Sequence, residues 1–175
     1  MAHSLRCQHL RHFAIRFAVY LLVLYGLAYL PVVREHLVAP FTVAITDISG
    51  WLIGLWDPRV VVTDNVLSIP GFAVQILDMC NGVEATLLMW AVFLAFPAPW
   101  RYRLLGMLLG TLGVHAVNIL RIVSLLYLGV WKPDWFHWVH WYLWDALIML
   151  DILLIFLAWL HWMPAGKDRH ATALG

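Results

Sequence analysis

The sequence predicts an all-α polytopic membrane protein, and three observations carry that reading. Of its 175 residues, 63% are hydrophobic, and the mean hydropathy is +0.82. The apolar residues gather in long runs closed by proline, tryptophan or charge. The lysines and arginines cluster on one side of those runs. A soluble domain of this length cannot enclose so much apolar surface. Residues 1–175 therefore read as a single integral membrane domain with the lipid bilayer as its solvent.

Four runs satisfy the roughly 20 residues needed to cross the hydrocarbon core. Residues 13–33 form the first, which is too long for a removed signal peptide and has no small-residue cleavage site. Residues 80–96 form a second, shorter span, closed by Pro97 and Pro99. Residues 104–130 form the third and residues 135–163 the fourth, which ends at Pro164. Residues 37–56 are apolar but carry Thr42, Thr46, Asp47 and Gly50 at helical spacing. A helix with such a polar side is expected to lie at the interface without crossing. Residues 59–77 hold a β-like stretch with two turn pairs, Asp64-Asn65 and Pro70-Gly71. Open β-edges are excluded from lipid, so a small ribbon is expected outside the bilayer. Eleven tryptophans fall mostly near span ends, as an aromatic belt requires.

Charge sets the orientation. Arg6, Arg11 and Arg16 precede the first span, Arg101 and Arg103 join the second to the third, and Lys167 and Arg169 follow the fourth. That side should be cytoplasmic, with both termini on it. Glu35, Asp57, Asp64, Asp78 and Asp134 fall on the other side. A net charge of +1 offers no basic field for nucleic acid. Cys7 and Cys80 lie on opposite sides and do not form a disulfide framework.

Three polar residues at the outer ends of three spans stand out. Cys80 lies in Asp78-Met79-Cys80-Asn81-Gly82, where strand character gives way to helix. Asp78 is a candidate N-cap, and a cysteine in the first turn of a helix feels a dipole that favours thiolate. Gly82 lets a substrate backbone approach closely. The plain alternative is a small buried cysteine that packs as a hydrophobe. Arg121 sits inside an unbroken apolar helix, with Asn118 and His115 on its face. Arginine there is costly unless it is satisfied or snorkels to the interface. His140 enters the last span from the same outer side, and His137 lies one turn shallower. Either histidine suits a general acid or base beside Cys80, and either also suits an interfacial imidazole among tryptophans. Glu84, one turn after Cys80, is placed to pair with Arg121 or to orient the histidine. Asp145 and Asp151 lie in the last span and need partners; Asp145, four residues after Trp141, is placed to face His140 or a neighbouring helix.

The triplet Cys80-Asn81-Gly82, then Asn118-x-x-Arg121, then a histidine early in the last span, resemble the exosortase/archaeosortase family, most of all its short exosortase H type. The resemblance covers residues 77–163; the earlier chain fits by position only. It implies a membrane-embedded cysteine transpeptidase or protease in the inner membrane of Gram-negative bacteria, with its site on the periplasmic face. Its substrates would be membrane-anchored proteins with a C-terminal sorting signal, made of a short motif, a transmembrane helix and a basic tail. The acceptor is unspecified. By position Cys80 is the implied nucleophile, with Arg121 and His140 as the arginine and histidine. Asn118, Glu84, Asn81, Gly82 and His137 would support them. Many exosortases carry a glycine four residues after the histidine, where this chain has Trp144, so His140 and His137 both stand, the deeper preferred. No cofactor or metal is implied. Two rival readings remain: a haem- or metal-binding helical bundle using His115, His137 and His140, and an assembly subunit without chemistry.

Overall fold

The computed structural model describes residues 2–162, with side chains from residue 10 onward. The side chains of Arg6 and Cys7, and Met163, Pro164, Lys167 and Arg169 altogether, lie outside the described residues. Five helices and one small sheet follow in order: α1 (Ala2–Ala28), α2 (Pro31–Gly54), β1 (Val61–Thr63), β2 (Val66–Ile69), β3 (Phe72–Gln75), α3 (Val83–Ala95), α4 (Trp100–Trp131) and α5 (Pro133–Trp162). The protein is an all-α polytopic membrane protein with a three-stranded sheet.

Prolines set the breaks. Leu30, ahead of Pro31, is extended at φ −62° and ψ 132°, because a proline ring disfavours helix in the residue before it. Pro31 then opens α2, where a missing N–H costs nothing. The first helix therefore stops at Ala28, short of residue 33. Phe96, ahead of Pro97, likewise closes α3 in extended backbone. The segment Leu10–Ala28, α2, α4 and α5 are each long and apolar enough to cross a membrane. With 13 residues, α3 rises only about 20 Å, less than a hydrocarbon core of roughly 30 Å.

Two apolar clusters divide the molecule along α4. In the first, Met89 and Phe93 of α3 pack with Val114 of α4 and with Ile148, Ile152 and Trp159 of α5. Gly106 and Gly110 make room there for Trp159 and Met89. Helix α1 lies along α3, with Phe13 against Phe96 and the Tyr25 hydroxyl donating to the Glu84 carbonyl at 3.0 Å. In the second cluster, Ile45 and Ile53 of α2 pack with Leu67 and Ile69 of β2 and with Ile122 and Leu126 of α4.

Helix α2 rises beside the far part of α4. Phe41 meets His115 near its start, and Trp56, just past its end, donates its indole N–H to the Tyr127 hydroxyl at 2.8 Å. Its polar side divides: Asp47 is exposed, whereas Thr42, Thr46 and Ser49 are buried, each hydroxyl bonded to the carbonyl four residues back at 2.9, 2.8 and 2.8 Å. Gly50 lets Val62 and Leu67 close on the helix. Local bonds satisfy these small hydroxyls, so the stripe serves as a packing face. The exposed face of α2 carries Ile48, Trp51 and Leu55.

The sheet is antiparallel in the order β1-β2-β3. Thr63 pairs with Val66 and Ile69 with Phe72, so each hairpin closes on two residues. Such tight loops demand positive φ, which Asp64 (52°) and Gly71 (98°) supply. Phe72 lies on Gly129 of α4, and β3 hands the chain on toward Cys80. Exposed tryptophans stand at both ends of the bundle, Trp131, Trp135, Trp138 and Trp141 at one and Trp100 and Trp162 at the other.

Candidate active site

Cys80, Arg121 and His140 meet where the two clusters join. Residues Asp78–Cys80 form a 3-10 turn after β3, which brings the thiol to the head of the bundle without placing it in α3. Cys80 Sγ lies 3.5 Å from His140 Nε2. Arg121 Nη2 lies 3.3 Å from the same nitrogen, 3.5 Å from the His140 carbonyl and 3.2 Å from Asp145 Oδ1. Arginine has only donors, so Nε2 accepts, and the neutral ring then carries its proton on Nδ1. Nε2 has one lone pair, so it takes the thiol proton as Arg121 Nη2 shifts its hydrogen bond to the His140 carbonyl or Asp145 Oδ1. Arg121 is 5% exposed, and Asp145 balances its charge.

A π-helical segment, Val139–Leu143, delivers His140 and Asp145 together. The Trp144 N–H bonds to the Val139 carbonyl five residues back. His140 and Asp145 are also five apart. On a regular α-helix that spacing points about 140° apart; a π turn brings both to one side. His137, one α-turn earlier, is exposed and touches Phe136.

The three groups line a cavity of about 340 Å³, together with Asn118, Glu84 and Met149. A family model described as transmembrane exosortase (Exosortase_EpsH) matches residues 8–159.

The chain belongs to the transmembrane exosortase family.

No curated protein and no solved structure matches it. Family membership makes it a multi-pass membrane enzyme of transpeptidase type that processes membrane-anchored proteins with sorting signals. Several residues of this exosortase act differently from the sequence expectation. Asp78 does not cap α3; it pairs with Arg34 at 2.6 Å. The N-cap position is Gly82, and just before it Asn81 Oδ1 accepts the Val83 N–H at 2.9 Å while its Nδ2 donates to Thr42 at 2.8 Å. Cys80 therefore precedes the first turn of α3. Burial pushes its thiol above the ordinary range, Arg121 pulls it back, and Asp145 and Glu84 push it up again. These effects oppose the thiolate that a place in the first turn of a helix was expected to favour.

Glu84 lines the cavity but does not reach Arg121, because the Tyr29 hydroxyl donates to its Oε1 at 2.6 Å. Asp145 holds the arginine instead. Gly82 has φ +85°, and a Cβ there would stand 3.0 Å from His115 Nδ1 and 3.3 Å from Asn118 Cγ. Its need for glycine is met by this turn and by contact with α4. Asn118 is 1% exposed, and neither its Oδ1 nor its Nδ2 has a partner among the described residues.

The three histidines of the haem or metal reading do not gather. His115 contacts Phe41 and Thr86, His137 faces outward, and His140 is engaged with Cys80 and Arg121. Among the described residues no three His, Cys, Asp or Glu side chains form a ligand set. Asp151 has a buried Oδ2 without a partner among the described residues.

Proposed function

We infer that this exosortase is a cysteine transpeptidase working through a thioester, with Cys80 as nucleophile, His140 as general acid and base, and Arg121 as the fixed positive charge. The observation that carries this reading is the 3.5 Å approach of Cys80 Sγ to His140 Nε2 beside a buried guanidinium. The thiol proton passes to Nε2 as sulfur attacks the scissile carbonyl carbon. Negative charge moves to the carbonyl oxygen, where the guanidinium of Arg121 opposes it. Collapse of the adduct breaks the C–N bond, and the protonated imidazole gives its proton to the departing amine. An acceptor then loses a proton to His140 and attacks the thioester, which frees Cys80.

The substrate is a membrane-anchored protein with a C-terminal sorting signal: a motif at the site, a transmembrane helix, and a basic tail. Arg11, Arg16, Arg101 and Arg103 favour the cytoplasm for the end opposite Cys80. Cys80, α2 and the sheet then face the periplasm of an inner membrane. Because α2 rises beside the far part of α4, it need not cross.

The test is substrate trimming in membranes. C80A and C80S should abolish it at unchanged protein level. Mass spectrometry of the wild type quenched during turnover should find an acyl adduct on Cys80. Continued trimming by C80A overturns the scheme.

A further inference from the structure

We propose that the floor of α3 between α1 and α5 is the docking groove for the substrate's transmembrane helix; this rests on the reading just given and specifies where the helix lies. The Cys80 cavity is walled on most sides. Thr42 of α2 bonds Asn81 across one side, and His115 and Asn118 of α4 press on Gly82 from behind. Deeper in the bundle α3 and α5 close on each other, with Phe93 and Phe96 against Phe156 and Trp159. Toward Cys80 they part, and the cavity opens there.

The floor of this opening is Ala85 and Leu88 of α3. Tyr25 of α1 stands on one side, and Ile148 and Met149 of α5 stand on the other. Met149 is 57% exposed. Ala85 and Leu88 on α3, and Asp145, Ile148 and Met149 on α5, recur at three- and four-residue intervals, so the opening follows the upper turns of both helices, above the Phe13–Phe96–Phe156 contacts that join α1, α3 and α5. An alanine at the centre of the floor lets another helix backbone come close, which is how helices associate in lipid.

Position selects one occupant. The opening is continuous with the thiol at its upper end and reaches the exposed Met149. A lone spanning helix of a membrane-anchored substrate arrives through lipid, and seated at this opening it delivers the peptide at its head to Cys80. A second copy of this chain would fill the groove but bring no scissile bond to it.

The test uses the full chain in membranes. Its probe is a protein whose basic-tailed C-terminal helix the wild type removes and C80A leaves in place. A photo-crosslinking residue is placed at Leu88 or Met149 in the C80S background, and at Leu108 or Leu112, exposed on α4, as controls. Adducts of enzyme plus untrimmed probe are expected from positions 88 and 149 and not from 108 and 112. A85F should lower trimming at least tenfold, and L108F should stay within twofold. Adducts only from the α4 positions, or enzyme–enzyme adducts from 88 and 149, overturn the groove while wild-type trimming upholds the chemistry. Failure to find any protein trimmed by the wild type overturns both.

Discussion

Asp145 Oδ1 lies 3.2 Å from Arg121 Nη2 although its own side chain is 51% exposed and that of the arginine only 6%. The pair is lopsided: a buried cation is held by a carboxylate at the cavity mouth. A half-exposed partner is screened by water, so Asp145 contributes modestly to the pair. The guanidinium itself cannot be released without stranding its charge among apolar helices.

Arg121 and Asp145 should therefore differ in mutational cost. R121Q keeps much of the size and hydrogen bonding but removes the charge opposed to the oxyanion, and trimming should fall by about 100-fold or more. D145N should fall by no more than about tenfold, since it leaves the arginine in place. Trimming rates normalised to protein level in membranes decide this. Equal losses in the two variants would deny the charge its separate role.

The two histidines should separate just as sharply. H140A removes the ring nitrogen 3.5 Å from the thiol and should cost about 100- to 10,000-fold in trimming, the usual range for a lost general acid–base. H137A touches an exposed ring against Phe136 and should stay within about threefold. The pH profile of residual activity in each variant is the check. A greater loss in H137A would transfer the role to the shallower histidine.

Much of this site was legible because lipid makes polar residues conspicuous. Cys80, Arg121 and His140 stand out against apolar runs, and the turn pairs Asp64-Asn65 and Pro70-Gly71 marked both hairpins. The partners were less legible. The π segment has no local signature, so Asp145 stood open between His140 and a neighbouring helix, and Glu84 was placed to pair with Arg121 or to orient the histidine. The stripe of Thr42, Thr46 and Gly50 was visible, but small hydroxyls bonded to their own helix suit a protein contact as well as water. Asp78 had the right type for a cap, yet Arg34 claims it and the cap position falls to Gly82.

The thiol's titration tests the electrostatics directly. Burial favours the neutral form, so in a C7S background alkylation of Cys80 by iodoacetamide should rise only above the ordinary thiol range. Arg121 lowers the thiol's pKa, so R121Q should move the curve to still higher pH. Asp145 raises it, so D145N should move the curve down. Labelling rates against pH, read by mass spectrometry, give both signs. A wild-type curve at or below the free-thiol range would mean a resting thiolate.

Gly82 and Asn81 should prove structural in their first effect. A side chain at φ +85° is in the left-handed region, at a cost of roughly 1–2 kcal/mol. In G82A the new methyl would also crowd His115 at 3.0 Å, and that ring is hemmed in by Phe41 and Thr86. N81A removes a fully buried amide that accepts the Val83 N–H and bonds Thr42, at about 1–3 kcal/mol. Both variants should lose thermal stability in detergent, as seen by earlier aggregation on heating. Low expression temperature should restore protein level in both. Trimming per folded molecule should then recover in N81A more than in G82A, because the glycine turn also fixes the approach of Cys80 to His140. A G82A protein with wild-type melting and unchanged trimming would show that neither the left-handed turn nor its contact with α4 constrains the site.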